Sequence, residues 1–145
     1  MSARRREIVR AARRWIGTPY HHQAATCGAG CDCLGLIRGL WRELVGAEPF
    51  RVPAYTPDWS EPQGEELLLT GARDVMLERS LADAEPGDMV LFRMRAAGVA
   101  KHLGVLSQTG DEPKFIHAYQ GHGVVESPLS TPWRSRIVGC FAFPV

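Results

Sequence analysis

At about 100° per residue, Ile8, Val9, Ala12, Trp15 and Ile16 fall on one arc, and Arg6, Arg10, Arg13 and Arg14 fall on the opposite one. This spacing predicts an amphipathic helix that Ser2 can cap and that ends at Gly17, ahead of Pro19. Cys33, Ile37, Leu40, Trp41 and Leu44 repeat the pattern, with Arg38, Arg42 and Glu43 outside the arc. A second helix is therefore expected from Cys33 to about Val45, capped by Asp32 and terminated by Gly46. Gly64 to Leu81 is a weaker helical candidate, interrupted by Gly71. Pro49, Pro53, Pro57 and Pro62 mark a surface loop before it. After Leu81 the pattern shifts to short apolar runs: Met89 to Phe92, His102 to Leu106, Phe115 to Tyr119, Val124 to Val125 and Ile137 to Phe143. Turns are signalled at Pro86-Gly87-Asp88, Thr109-Gly110-Asp111 and Gly121-His122-Gly123. Helices first and close-spaced strands second read as α+β, with an antiparallel meander.

The 145 residues suffice for one domain with one core, and 45% hydrophobic against 23% charged residues is an ordinary globular balance. No apolar run approaches the roughly 20 residues that span a bilayer. The net charge of +1 gives no reason to expect nucleic acid as a partner. The arginines of the first helix read as a solvated face, with a docking surface for an anionic polymer or a partner protein as the alternative. The charged start lacks an apolar stretch and a small-residue cleavage site, so no secretory signal is expected.

Of the four cysteines, Cys27, Cys31 and Cys33 crowd together, which suits metal binding or catalysis better than a disulfide framework. Cys33 sits at a helix start, on the inward arc, where the dipole and unpaired N–H groups favour a thiolate and lower the thiol pKa. Asp32 is assigned to capping. The bland alternative is a small buried cysteine filling a helix-sheet contact. A metal reading would use His21, His22, Cys27, Cys31 and Cys33, but this spacing matches no structural zinc pattern, so no metal is expected.

A thiol nucleophile needs a base and a group that orients it. Of the five histidines, His102 and His117 lie inside predicted strands. Alternation lets both project from one face, towards the Cys33 helix. Trp15 and Trp41 occupy core positions, Trp59 and Trp133 sit in turn-like sequence with Trp59 able to line a groove, and His122 reads as an exposed turn residue.

Gly17-Thr18-Pro19-Tyr20, Asp32-Cys33-Leu34-Gly35-Leu36, Pro86-Gly87-Asp88, His102-Leu103-Gly104-Val105 and Ile116-His117-Ala118, in that order, resemble the motif set of NlpC-type cell-wall peptidases. The resemblance implies a papain-like α+β fold, N-terminal helices packed on a central antiparallel sheet of about five to six strands. It implies Cys33 as nucleophile, His102 as general base, His117 as third residue, and Tyr20 beside the oxyanion position, where the Cys33 N–H also points. No cofactor is implied. The substrate would be peptidoglycan stem peptides, cut between D-γ-glutamyl and a diamino acid. Leu34 replaces the usual small Ser, and the segment from His21 to Cys31 is unusually rich in Cys and His. That segment, with the compact single-domain length, the expected lack of an export signal and the lack of a recognised wall-binding module, looks like the phage-type branch found with tail genes of phages and gene transfer agents. That branch implies tail hub or tail-tip proteins as partners, synthesis in the bacterial cytoplasm, and action in the periplasm or wall of a recipient cell. A catalytically silent tail-assembly or wall-binding component, and an amidase or acyltransferase of the same fold, are the alternatives.

Overall fold

A computed structural model describes residues 1–49, 55–57, 59, 64 and 66–145. Much of the expected loop, including Pro53 and Pro62, lies outside the described residues. Helix α1 spans Ala3–Arg14; Ser2 caps it by accepting from the Arg5 N–H, and Gly17 follows with φ of 93°. Helix α2 spans Cys33–Leu44, with the Asp32 carboxylate accepting from the Gly35 N–H. The two helices meet where Trp15 lies on the backbone of Gly39, so closely that a Cβ there would stand 2.1 Å from the indole.

The strands are β1 (Ala25–Thr26), β2 (Gly30–Cys31), β3 (Leu77–Arg79), β4 (Met89–Arg93), β5 (Ala100–Gln108), β6 (Lys114–Tyr119), β7 (Gly123–Pro128) and β8 (Ile137–Ala142). β1 and β2 form a hairpin just ahead of α2, and the other six form one antiparallel sheet in the order β3-β8-β4-β5-β6-β7. The expected meander holds from β4 to β7, but β8 returns to pair with β4 rather than extending the run. The helical reading of Gly64 to Leu81 is too long: α3 covers Leu67–Val75, Met76 turns extended, and β3 pairs with β8. The apolar residues at its end belong to a strand whose short length hides its period. A further helix, α4 (Thr131–Arg134), carries Trp133.

The sheet buries both faces. Leu91, Leu103, Val105, Ile116, Ala118 and Phe141 join α1 and α2 in one core. Val90, Phe92, Leu106, Phe115, Leu129 and Cys140 form a second core, against which Trp133 and Ile137 pack. Each large side chain removed from water in this way contributes about 1.5–3 kcal/mol.

α1 is tied to the sheet through the turn at Pro86-Gly87-Asp88. Gly87, at φ of 95°, donates its N–H to Leu106 O at 2.8 Å. The Asp88 side chain is fully buried; it accepts from Arg5 at 2.8 Å and from the Glu85 N–H at 2.9 Å, with the Cys140 thiol at 3.7 Å. Arg79 Nε lies 3.2 Å from its other oxygen as an ion pair without hydrogen-bond alignment. Arg13 and Arg14 pair with Glu126 and Glu43, so half of the arginine arc of α1 is engaged in intramolecular ion pairs.

Candidate active site

Residues 17–32 deliver the start of α2. Gly17 donates to Val124 O at 3.0 Å and Val124 returns a bond to Thr18 O at 2.9 Å, which pins this segment to β7. Cys31 then donates to Pro19 O and His21 donates to Cys31 O, both at 3.0 Å, so Tyr20 runs beside the strand that leads into the nucleophile position. Asp32 fixes the turn that follows. Its buried carboxylate accepts from Gly35 and Gln23 N–H groups, both at 2.7 Å, and from the Tyr55 hydroxyl. Tyr55 in turn stacks on Trp59, with centroids 4.2 Å apart. Capping is thus Asp32's role, as its position predicts.

Cys33 occupies the first position of α2 and is 7% exposed. Its thiol donates to Lys101 O at 3.9 Å, and the Leu103 N–H also reaches the sulfur. This approach depends on a divergence in the sheet. The β5–β6 pairing runs from Gln108↔Lys114 to Val105↔Ile116 and stops there, although β5 continues to Ala100 and β6 to Tyr119. Backbone groups of Lys101 and Leu103 that would otherwise pair across to β6 face the thiol instead.

His102 and His117 come together: Nε2 of His102 lies 2.7 Å from Nδ1 of His117, whose Nε2 lies 2.9 Å from the Ser127 hydroxyl. They share a face, as alternation predicts, but not the face expected. Leu103, Val105, Ile116 and Ala118 point towards α2, so the intervening histidines point to the second core, among Phe92, Phe115 and Trp133. The Trp133 ring lies 5.5 Å from His102 and 5.2 Å from His117. The thiol reaches the residues that flank His102 through the strand divergence rather than across a helix-facing surface. Among the described residues, no hydrogen bond joins Cys33 to either imidazole.

The electrostatics also differ from expectation. The helix start should lower the Cys33 pKa, yet burial, reinforced by the Asp32 charge, pushes the thiol up to about 12. Desolvation outweighs the dipole, so the resting group is S–H and its proton must leave during attack. Burial holds both imidazoles well below the ordinary histidine range, aided by His117 acting on His102 and by His122 acting on His117. Tyr20, half-buried, is raised to about 12 by burial first and then by Cys33, Asp32 and Cys31, so it remains a hydroxyl donor.

These imidazole shifts predict acid sensitivity. The unfolded chain binds protons on His102 and His117 that the folded chain refuses, so their contribution is complete above about pH 6.5 and is lost as pH falls towards the depressed folded values. Urea midpoints at pH 7 and pH 5 should differ less for His117→Gln than for the parent chain; an equal difference would contradict the assignment.

Among the described residues, no three His, Cys, Asp or Glu side chains gather to hold a metal ion. His22 bonds to Tyr55 O at 2.9 Å, the exposed Cys27 donates to Arg14 O at 3.5 Å, and Cys31 is buried. His122 is exposed and stacks on Tyr119. Trp59 is buried and lines a cavity of about 400 Å³ between α2 and α3, which also touches Leu34, Arg38, Tyr55, Ala72 and Leu103. Leu34 and Leu103, the residues after Cys33 and His102, place this cavity beside the site. Sequence reasoning missed Ser127 and Tyr55. The strand period could have found Ser127, which faces Phe115 across β7 and so shares the side of His117; no local signal marks Tyr55.

A model of the NlpC/P60 family matches residues 17–141. The chain is 27% identical over 140 residues to the gamma-DL-glutamyl hydrolase of Bacillus subtilis (strain 168), covering 94% of this chain and 29% of that protein. It is 31% identical over 126 residues to the murein DD-endopeptidase MepH of Escherichia coli (strain K12), covering 86% of this chain and 40% of that one. The chain thus spans less than half the length of these curated relatives. Among solved structures, the NlpC/P60 domain of peptidoglycan hydrolase SagA superposes with a TM-score of 0.65 at 22% identity, covering 96% of this chain and 98% of that one. A lipoprotein-like NLP/P60 protein of Staphylococcus aureus subsp. aureus Mu50 superposes at 0.63 and 21% identity, covering 98% and 42%. At these identities the superpositions establish the fold alone. No described helix is long and apolar enough to cross a membrane.

Proposed function

Because the chain belongs to the NlpC/P60 family, we propose that it is a cysteine peptidase of peptidoglycan stem peptides, with Cys33, His102 and His117 as its working residues. The observation that carries this reading is the thiol lying against the two backbone groups that flank His102, whose imidazole is held by His117. In the proposed reaction, His102 Nδ1 takes the Cys33 proton as sulfur attacks the amide carbonyl carbon. The carbonyl electron pair moves onto oxygen, which the Cys33 N–H at the helix start and the Tyr20 hydroxyl stabilise. Collapse breaks the C–N bond, the amine leaves with the His102 proton, and water, activated by the same imidazole, cleaves the thioester.

The bond we propose is the one between D-γ-glutamyl and a diamino acid. One relative's name, a gamma-DL-glutamyl hydrolase, supports it, whereas the other names a DD-endopeptidase. We further propose action at a phage-like tail during local wall penetration, with tail hub or tail-tip proteins as partners and the recipient's periplasm or wall as the place of work. The Cys- and His-rich segment before the nucleophile supports that branch.

Digestion of defined muropeptides with mass readout tests the reading. Products ending in free D-glutamate with a free diamino acid amine are expected. Separation of a D-Ala cross-link instead would overturn the bond assignment, and the absence of any Cys33-dependent product would overturn the peptidase.

A further inference from the structure

The imidazole pair does not end at His117. Ser127 stands on β7, where Phe115↔Ser127 and His117↔Val125 are cross-strand partners, so its side chain rises on the histidine face one diagonal step from His117. Its hydroxyl lies 2.9 Å from His117 Nε2, while His117 Nδ1 lies 2.7 Å from His102 Nε2. These bonds form a chain in which each ring carries one proton, and one orientation fixes all the others. If Ser127 accepts from His117 Nε2–H, then His117 Nδ1 is an acceptor and His102 Nε2 carries the proton. His102 Nδ1 is then an unprotonated lone pair. If Ser127 donates, every bond reverses and Nδ1 of His102 carries a proton, which leaves it unable to act as a base.

The first orientation is open to this pair because Ser127 is only half-buried: its own proton can be hydrated while its oxygen accepts from the Nε2–H of His117, which is 1% exposed. Among the described residues, the other groups facing the pair are Phe92 from β4, Tyr119 from β6, His122 from the turn after it, and Trp133 from α4 with Arg136 beyond its ring. Among the described residues no carboxylate bonds to either imidazole, so the serine hydroxyl stands where a carboxylate could otherwise set the tautomer.

We infer that Ser127 is a positioning residue, the fourth member of the relay, and that by accepting from His117 it holds His102 in the one tautomer able to take a proton from the thiol. The inference rests on the peptidase reading and adds to it the device that selects the base.

The test combines nitrogen-15 NMR of histidine-labelled protein with kinetics on a soluble stem peptide. In the parent chain His102 should carry its proton on Nε2 and His117 on Nε2. Ser127→Ala should leave His102 a mixture of tautomers and lower kcat on the order of 10- to 100-fold with KM little changed, a fraction of the 10²–10⁴ range of general-base catalysis. Ser127→Thr should restore both. A parent chain with His102 protonated on Nδ1, or a Ser127→Ala chain with unchanged tautomer and kcat, overturns the inference. The NMR result stands without turnover, so a correct tautomer in a chain whose Cys33 proves dispensable would sink the peptidase reading and leave the relay intact.

Discussion

Cys33→Ala should reduce stem-peptide cleavage on the order of 10⁴-fold, and His102→Gln should reduce it about 10²- to 10⁴-fold, with binding of the peptide retained in both. The reasoning is geometric and electrostatic at once. The thiol is buried at a helix start and held up to about 12, so its proton must leave as the sulfur attacks. A base that stays neutral across the working range is therefore essential, and burial of His102 provides it. The pH profile follows. With the imidazoles depressed and the thiol raised, neither group changes charge between about pH 5 and pH 8, so kcat/KM should be flat there rather than bell-shaped about the ordinary imidazole value near 6.5. Alkylation of Cys33 by iodoacetamide should keep accelerating to pH 9 and beyond. A plateau reached by pH 7 would show a thiolate-imidazolium pair and refute the neutral resting state.

Asp88→Ala should cost about 3–5 kcal/mol of stability while leaving kcat at low temperature nearly unchanged. The carboxylate is fully buried, and its removal takes a partner from the Arg5 guanidinium, Arg79 Nε and the Glu85 N–H together, although Arg5 keeps Glu85 at 3.0 Å and Pro86 O at 3.1 Å and Arg79 keeps Glu85 at 3.5 Å. Arg5 and Arg79 retain some access to water, with side chains 17% and 29% exposed, which places the cost towards the lower end. Against a total of about 5–15 kcal/mol, such a loss is large. For a chain of this length, about 3 kcal/mol corresponds to a fall in Tm of roughly 6–12 °C. A calorimetric Tm within 2 °C of the parent would show that the cluster contributes nothing beyond its desolvation cost. Asp88→Asn should fall between, since the amide keeps an acceptor for the Glu85 N–H but gives up its charge.

The helices that position the nucleophile are legible in the sequence because their signals are local. Asp32 before Cys33 is a cap with a residue to cap, and the inward arc from Cys33 to Leu44 needs only a helical period to be read. The shared face of His102 and His117 is legible for the same reason. Which face it is was not, because that depends on where α2 lies relative to a sheet whose order is not sequential. The residues that alternate with the histidines carry the answer: Leu103, Val105, Ile116 and Ala118 are the more apolar set and claim the helix side, leaving the imidazoles to the other. The cysteine's resting charge is not legible in the same way, because a helix start is visible in sequence while the extent of burial is a property of everything packed on it. β3, with three residues, is too short for alternation to distinguish from a helix end, and Tyr55 joins Asp32 across 23 residues of chain without any local mark. Residues 17–141 nonetheless match the family whose motifs the sequence displays, so the order of motifs was the stronger guide to kinship than any single element.

The parting of β5 and β6 has a meaning beyond the site. Unpaired strand backbone is normally found at a sheet's rim, where it invites other chains to add to it and must be blunted by charge, proline or cover. Here the Lys101 C=O and the Leu103 N–H turn to the Cys33 thiol in the middle of a six-stranded sheet, walled by α2 on one side and by the Trp133 cluster on the other. The protein thus presents strand backbone to a small thiol at a place that a foreign strand cannot reach, gaining the chemistry of an edge without its tendency to aggregate.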